Sequence, residues 1–214
     1  MLARHLGLPQ AIDQRLHLLK VHRPYHESDH VLHIACNPLG HGTCPQDIEL
    51  RHNDDAFLDA LGARRIPDPT TAGDFGRRFT HPHIDALQDA IDVARREVRA
   101  EQPESFFNRA TIDRDGTPVG TTGSCQAGMD IADNGVRGDH PLILRPAETG
   151  EVLRRLNRSG NRPSHEGAAG QVDQAIGLCR HAGCRRTVLR GDTDFSQTQH
   201  LRAYASKILE ILGQ

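Results

Sequence analysis

The chain has 214 residues, of which 36% are hydrophobic and 25% are charged, and its formal net charge at pH 7 is −2. This length suffices for one fair-sized domain or for a small domain joined to a medium one, and the charge balance excludes a chain that is basic throughout. Tryptophan is absent and aromatic residues make up only 4%, so any core must rest on Leu, Ile, Val and Ala.

The composition also argues against a membrane protein and a disulfide framework. No apolar run approaches the roughly 20 residues of a membrane span, and polar residues interrupt every apolar stretch before residue 30, so no signal peptide is expected. The 5 cysteines are scattered and odd in number, which favours reduced thiols in a cytoplasm. Arginine outnumbers lysine by 24 to 2, a bias that suits phosphate contacts but that a GC-rich genome also produces.

The beginning of the chain is predicted to be helical after a polar, weakly periodic start. Residues 1–24 show little pattern, and Pro24 ends any helix there. A short helix is predicted over residues 28–37, with Ser28 as its N-cap, and two more short helices are predicted over residues 45–62.

A turn and two further helices complete this region. Asp68 can cap a helix that has Pro69 at its first position and runs to Phe79, and a longer amphipathic helix is predicted over residues 83–100. Pro103 ends that helix, and no strand candidate precedes it. Residues 1–103 are therefore expected to form a helical domain.

After Pro103 the pattern changes to short segments rich in β-branched residues, separated by Gly- and Asn-rich loops. The predicted elements are strands over residues 108–122, 126–132 and 140–147, a segment 150–157 that fits strand or helix, a helix over 164–183, a buried strand over 186–190 and an amphipathic helix over 198–212. Residues 104–214 are thus predicted to form an α/β domain, and the whole chain to be α+β.

Two acidic motifs lie at predicted strand ends, residues 111–117 (TIDRDGT) and 188–195 (VLRGDTDF). Each delivers two Asp at alternate positions beside a Gly turn: Asp113 and Asp115, then Asp192 and Asp194. Carboxylates on neighbouring strand ends can hold Mg²⁺ or Mn²⁺, and two such ions about 4 Å apart can drive phosphoryl transfer. Either motif alone is more typical of an ordinary turn, but the presence of both, with the right elements between them, favours a metal site.

From Tyr25 to about Thr198 the sequence resembles the DDE-domain transposases of bacterial insertion sequences, in the group whose catalytic core is ribonuclease H-like. The matching blocks are residues 47–51 (DIELR), 66–75 (IPDPTTAGDF), 113–117 (DRDGT), 140–142 (HPL), 158–164 (RSGNRPS) and 190–195 (RGDTDF). Several blocks in the same order are more specific than any one of them.

The resemblance implies that residues 104–214 form an incomplete ribonuclease H-like domain that binds Mg²⁺ or Mn²⁺ on adjacent strands. The implied ligands are Asp115 and Asp192, with Asp113 and Asp194 as the alternatives. The family's third carboxylate is a Glu on a helix well downstream, but the 22 residues after Asp192 contain only Glu210, on the predicted amphipathic helix. The match is therefore to a C-terminally truncated or frameshifted transposase, and we expect weak metal binding and no DNA cleavage.

The resemblance also implies that the partner is double-stranded DNA, the terminal repeats of an insertion sequence, and that the protein is cytoplasmic and nucleoid-associated. The arginines beside the turn and helix of residues 67–79 fit a helix-turn-helix-like module that grips DNA, or equally a solvated helix face. A homodimer and association with a full-length transposase both stay open, and no membrane partner is expected. The residues predicted to contact DNA are Arg64, Arg65, Arg77, Arg78, Arg158 and Arg162.

Two alternatives compete with a transposase. One is a DNA-binding remnant without catalysis. The other is a haloacid dehalogenase-like phosphatase, whose nucleophile motif residues 113–117 also match. A phosphatase of this class needs a Lys between the two acidic motifs, and the next Lys, Lys207, comes after both. A cluster of His and Cys residues early in the chain also suggests a zinc site, but solvated or hydrogen-bonded histidines fit better because Pro24 interrupts the helix and no CxxC is present. Its candidate ligands are His22, His26, His30, His33, Cys36, His41 and Cys44.

Overall fold

A computed structural model describes residues 2–21, 24–121, 128–132, 135–191 and 195. The chain divides into two compact units, Met1–Glu101 and Gln102–Gln214, which we call the N-terminal and C-terminal units. Within the described residues, no helix combines the length and the apolar character that crossing a membrane requires.

The described part of the N-terminal unit consists of helices and loops, with no strand. Its helices are α1 (Leu2–His5), α2 (Leu8–Arg15), α3 (Glu27–Leu39), a 3₁₀ helix (Pro45–Arg51), α4 (Asp55–Leu61), α5 (Pro69–Arg77) and α6 (His81–Ala100). Two hydrophobic clusters hold them together. One contains Ile48, Leu58, Leu61, Ile66 and Ala72, and the other contains Ala11, Ile12, Leu16 and Ala90.

The start of α5 follows the sequence prediction, whereas the start of α3 does not. Asp68 caps α5 by accepting a hydrogen bond from the Thr71 N–H at 2.9 Å, with Pro69 at the first helical position. Ser28, predicted to cap α3, lies inside that helix, where its N–H and hydroxyl donate to the Asp13 carboxylate at 2.8 and 2.9 Å. Helix α3 begins at Glu27 because His26 is its N-cap, with the His26 N–H donating to the Asp29 carboxylate. Asp13, the partner of Ser28, comes from a helix that the sequence pattern did not reveal.

That helix is α2, in the region that showed little pattern. It is short, and its buried residues are few, but Ile12 within it and Leu16 at its C-cap are fully buried. A helix of two turns offers too few apolar positions for its periodicity to stand out, which explains why residues 1–24 gave no helical prediction.

The C-terminal unit contains a four-stranded sheet and a smaller three-stranded one. Its elements are a 3₁₀ helix (Glu104–Phe107), β1 (Ala110–Gly116), β2 (Val119–Gly120), β3 (Asp130–Ile131), β4 (Arg137–Asp139), β5 (Leu142–Pro146), β6 (Arg154–Leu156), α7 (Ala168–His181) and β7 (Thr187–Gly191). The larger sheet has the order β6-β5-β1-β7, and the smaller one, built from the segment between β1 and β5, has the order β2-β4-β3.

Strand β1 is central in the larger sheet. It pairs antiparallel with β5, which pairs antiparallel with β6, and on its other side it pairs parallel with β7. The parallel pairing is made across the connection that contains α7, as parallel strands require a crossover. The register places Asp113 opposite Arg190 and Arg114 opposite Gly191.

One face of this sheet packs against α7 and forms a single core. The sheet contributes Ile112, Leu142 and Leu144, all fully buried, and α7 contributes Val172 and Cys179 among others. Because side chains alternate across a strand, Asp113 and Asp115 lie on the opposite face from Ile112. The core therefore fixes which face of the sheet carries the acidic motif.

The mixed α+β class is confirmed, and several finer predictions can be compared with the structure. Residues 150–157, left open between strand and helix, contain the strand β6. Strand β7, predicted to be buried, is only half-buried to exposed because it lies at an edge of the sheet. The predicted helix over residues 198–212 lies outside the described residues.

Candidate functional site

The carboxylate of Asp115 stands near the end of β1. Asp115 is exposed, and its Oδ2 accepts a hydrogen bond from the Thr117 hydroxyl at 3.1 Å. One hydroxyl donor orients the carboxylate but leaves most of its lone pairs available. Among the described residues, Asp115 is thus the predicted ligand whose oxygens are accessible to a cation.

Asp113, two residues earlier, is engaged by an arginine of the neighbouring strand. Arg190 donates from Nε to Asp113 Oδ1 at 2.6 Å and from Nη2 to Oδ2 at 2.8 Å, a bidentate pair between register partners of β1 and β7. These hydrogen bonds lower the pKa of the Asp113 carboxyl, so it stays ionised. As an alternative metal ligand, Asp113 would have to give up this pair.

The same face of the sheet carries further arginines. Arg145 lies opposite Asp113 on β5, where its charge further lowers the Asp113 pKa, and Arg155 lies opposite Ile143 on β6. Both arginines are exposed. The open face therefore presents a row of guanidinium groups beside the two carboxylates of β1, an arrangement that suits a phosphate-rich ligand.

Asp115 is followed by a residue that must be small. A Cβ atom added to Gly116 would lie 2.8 Å from His140 Nε2 and 3.2 Å from both Arg158 Nη2 and Ser164 Oγ. Polar side chains from two different loops thus converge directly behind the end of β1. Their packing fixes the position of the strand end that carries Asp115.

Arg158 supports this region from inside the unit and does not lie on its surface. It is 8% exposed, and it donates to the carbonyl oxygens of His140, Pro163, Ser164 and Glu166 at 2.7–3.0 Å. A guanidinium held in this way orders the loop of the RSGNRPS block. Because this side chain is buried and its Nε and Nη1 groups donate internally, the structure gives Arg158 a structural role and lends no support to the expected contact with DNA phosphates.

Arg162, the other arginine predicted from this block, stays on the surface. Its guanidinium lies 3.5 Å from the Glu166 carboxylate, and its side chain is 54% exposed. Its carbonyl oxygen also accepts a hydrogen bond from His140 Nδ1 at 3.1 Å. The side chain could therefore reach an anion, in competition with Glu166.

The four arginines predicted to bind DNA in the N-terminal unit have different surroundings. All are exposed. Arg64 lies on the loop after α4, Arg65 packs its guanidinium 5.7 Å from the centre of the Tyr25 ring, and Arg77 forms an ion pair with Asp74. Arg78 lines an open groove of about 730 Å³. The four arginines thus have different local partners, and their joint contact with DNA stays a prediction.

The groove at Arg78 brings in residues that sequence reasoning missed. It is lined by His17, Leu18, Leu19, Lys20, Val21, Arg78 and His83. Residues 17–21 lie in the segment where the sequence gave no pattern, and His83 was treated only as the start of a helix. Their proximity depends on tertiary packing, and the clustering of basic residues around residue 20 was the one available signal.

The ligand set for a divalent metal ion is incomplete within the described residues. Nowhere in the described ranges do three or more His, Cys, Asp or Glu side chains come together as a metal site requires. Asp192, Asp194 and Glu210 lie outside those ranges. Asp115 fits the oxygen chemistry of Mg²⁺ or Mn²⁺ as a single carboxylate ligand. Of the residues considered for a zinc site, His30 and His33 are buried in a helix.

Comparisons of the chain with known protein families, with curated proteins and with solved structures found no match.

Proposed function

We propose that the protein derives from a DDE-type transposase and that its C-terminal unit carries a ribonuclease H-like site for metal-dependent phosphoryl transfer on DNA. The observation that carries this proposal is the exposed Asp115 carboxylate near the end of the central strand. That strand pairs in parallel with the strand that leads directly into Asp192.

The described pairing of β1 with β7 supports the proposal. The register aligns Arg114 with Gly191, and the next residue of each chain segment is an Asp: Asp115 and Asp192. Asp115 and Asp192 lie 77 positions apart in the sequence, and the described pairing of β1 with β7 reaches the residue before each of them. Neighbouring strand ends are a common origin of divalent metal sites built from carboxylates.

The chain's own groups would have separate tasks in such a site. A bound Mg²⁺ or Mn²⁺ would activate an attacking hydroxyl and stabilise the leaving oxygen. Asp115 would hold the ion, while the Thr117 hydroxyl orients its carboxylate. The exposed Arg145 and Arg155 would attract the phosphate backbone to this face, a contact that positions DNA without reading its sequence.

The same geometry disfavours the phosphatase alternative. In that interpretation Asp113 attacks phosphorus and must present a free carboxylate oxygen. Both Asp113 oxygens accept hydrogen bonds from Arg190. Asp113 lies in the middle of β1 and is only half-exposed, whereas Asp115 lies near the end of the strand and is exposed.

Manganese binding and DNA cleavage by the 214-residue chain test the proposal. We expect weak Mn²⁺ binding, seen by electron paramagnetic resonance, that Asp115→Asn or Asp192→Asn removes. Asp130→Asn, a change of the same charge on the smaller sheet, is the matched control and should leave binding unchanged. Retention of Mn²⁺ binding in the Asp115→Asn/Asp192→Asn double variant would show that the site is assigned wrongly.

Cleavage distinguishes an enzyme from a DNA-binding remnant. If duplex DNA is cut with Mg²⁺ or Mn²⁺ and the cutting is lost in Asp115→Asn, the chain is catalytic. If metal and DNA bind but the DNA stays intact, the chain is a non-catalytic remnant, which is the outcome we expect from one accessible carboxylate in the described site.

A further inference from the structure

A half-enclosed cavity of about 220 Å³ lies within the N-terminal unit and shares no lining residue with the groove at Arg78. Its apolar walls include Pro9 from α2, Leu61 from the end of α4, and Ile66 and Pro67 from the turn before α5. A cavity of about 150 Å³ is enough to bind benzene, so this one has room for a substituted six-membered ring. Its size and its walls therefore suit a small organic molecule.

His33 gives this cavity a buried hydrogen-bond acceptor. The side chain lines the cavity and is 1% exposed, and its Nδ1 donates to the Asp29 carbonyl oxygen at 2.9 Å. Burial lowers the pKa of His33, which favours the neutral ring, so the outer nitrogen Nε2 carries a lone pair. Within the described part of the chain, Nε2 is buried and has no hydrogen-bond partner. Because an unsatisfied buried acceptor is costly, a molecule that supplies an N–H or O–H donor gains an interaction here.

Two guanidinium groups line the same cavity and are held in place by neighbouring residues. Arg4 donates from Nη2 to the Gly62 carbonyl oxygen at 2.8 Å, and Arg65 lies 5.7 Å from the centre of the Tyr25 ring. Gly62 closes α4 with a φ of +66°, and a Cβ atom there would lie 2.9 Å from Arg4 Cζ, so the missing side chain lets the guanidinium pack closely. Both arginines are exposed, and each guanidinium has five N–H donors. They can therefore bind an anion at the mouth of the cavity.

The charges around the cavity favour a ligand with a single negative charge. Asp29 is the acidic residue of the lining, and its Oδ2 accepts a hydrogen bond from the His26 N–H at 2.9 Å. Because Arg4 and Arg65 oppose it and His33 is neutral, the lining carries one net positive charge. One carboxylate balances that charge, whereas a phosphate dianion would add a negative charge that the Asp29 carboxylate repels.

We propose that this cavity binds a small organic monocarboxylate whose apolar body carries a hydroxyl group. Arg4 and Arg65 bind the carboxylate through charge-assisted hydrogen bonds, and the hydroxyl donates to His33 Nε2. The apolar walls pack against the body between these two polar ends. The proposal depends on the N-terminal unit alone and is independent of the metal site proposed at Asp115.

Isothermal titration calorimetry of the full chain tests the proposal with three related probes. Among them, para-hydroxybenzoate has both polar ends, benzoate lacks the hydroxyl, and phenol lacks the carboxylate. We expect para-hydroxybenzoate to bind with a Kd of about 1 mM or tighter, which is in the range for a ligand of its size. Benzoate should bind about tenfold more weakly, because His33 Nε2 stays unsatisfied. Phenol should also bind about tenfold more weakly, because the guanidinium groups lose their anionic partner.

Variants assign the two ends of the ligand to the residues that bind them. Arg65→Gln should weaken the binding of para-hydroxybenzoate and of benzoate by the same factor, about tenfold. The matched control Arg64→Gln removes the same charge from an exposed residue outside the cavity and should leave both affinities unchanged. His33→Phe keeps a ring but removes Nε2, so it should abolish the preference for para-hydroxybenzoate while benzoate still binds.

The probe series on the unaltered chain keeps the proposal open to refutation even where His33→Phe fails to fold. The proposal is overturned if para-hydroxybenzoate shows no saturable binding at about ten times the expected Kd, or if benzoate binds as tightly as para-hydroxybenzoate. It is also overturned if Arg64→Gln weakens binding as much as Arg65→Gln does. Asp115→Asn should leave the affinity for para-hydroxybenzoate unchanged, so a failure of the metal site and a failure of the cavity are distinguishable.

Discussion

Helices α3 and α7 bury opposite kinds of side chain. The buried residues of α3, in the N-terminal unit, are all polar or charged: Glu27, Ser28, His30, His33 and Asn37. Those of α7, in the C-terminal unit, are all apolar or thiol: Ala168, Val172, Ala175, Ile176 and Cys179. In the C-terminal unit, Asp115, Arg145 and Arg155 lie on the open face of the larger sheet, whereas Arg154 and Arg158 are buried.

This difference predicts that the two units respond to different perturbations. Apolar burial contributes free energy in proportion to the area removed from water and depends little on pH. Buried polar groups contribute only when their partners and protonation states are correct. His33 donates from Nδ1 to the Asp29 carbonyl oxygen at 2.9 Å, whereas His30 Nδ1 has no hydrogen-bond partner within the described part of the chain.

The largest expected effect is a cavity in the C-terminal core. Leu144 is fully buried between the sheet and α7. Leu144→Ala should lower the free energy of unfolding of this unit by about 2–5 kcal/mol, since the lost contacts leave a cavity. Urea denaturation, monitored by hydrogen exchange of α7 peptides, measures this loss in the free energy of unfolding. Ile131→Ala, at a side chain that is 59% exposed, is the control and should cost less than about 0.5 kcal/mol.

Acid should destabilise the N-terminal unit through His30. This side chain is 3% exposed and stacks on Phe75 with ring centres 4.6 Å apart. Burial, with a smaller contribution from His33, lowers the pKa of His30 from 6.5 to about 4, although Asp29 and Glu27 act in the opposite direction. The folded state therefore keeps His30 neutral over a pH range in which the unfolded chain binds a proton.

The sign and the size of this effect follow from proton linkage. The stabilisation is complete above pH 6.5 and is lost as the pH falls from 6.5 towards about 4, to a total of about 3 kcal/mol at 1.36 kcal/mol per pH unit. Hydrogen exchange of α3 peptides between pH 7 and pH 5 avoids most carboxyl titration. His30→Phe keeps a stacked ring and should flatten the profile, so an unchanged profile in that variant would contradict the assignment to His30.

Sequence periodicity predicted the buried face of α7 better than that of α3, for a physical reason. In α7 the apolar residues have helical spacing and form the buried face, so the hydrophobic pattern and the packing agree. In α3 the same logic selects Val31 and Ile34, yet Ile34 is 38% exposed and His30 is buried. The helically spaced histidines mark the inner face, because aromatic neighbours and main-chain groups supply their partners.

The position of Asp113 and Asp115 on one face of β1 was predictable from the sequence, but their pairings were not. Alternation along TIDRDGT places Asp113 and Asp115 on one face, and the crossover through α7 makes the parallel pairing with β7 expected. Nothing in the sequence indicates that Arg190 would hold Asp113, because that contact depends on the register. The internal role of Arg158 depends on four carbonyl groups that only the folded loop brings together.

The smallest expected effect concerns the ion pair on the open sheet face. Arg190 is 64% exposed in its pair with Asp113, so water and salt screen the interaction, and such pairs contribute about 0–1 kcal/mol. The hydrogen bonds from Arg190 lower the pKa of Asp113. The ion pair therefore stabilises the fold fully above the usual pKa range of a carboxyl group, and this stabilisation is lost as the pH falls through the lowered pKa. Arg190→Gln should destabilise the C-terminal unit by roughly 0.5 kcal/mol at low salt, and the difference should vanish near 1 M salt, where the Debye length is about 3 Å. The acid effect on the N-terminal unit should survive the same salt, because His30 is buried. A cost above about 2 kcal/mol for Arg190→Gln that salt leaves unchanged would place a desolvated charge on this face, and the contrast between the two units would then be wrong.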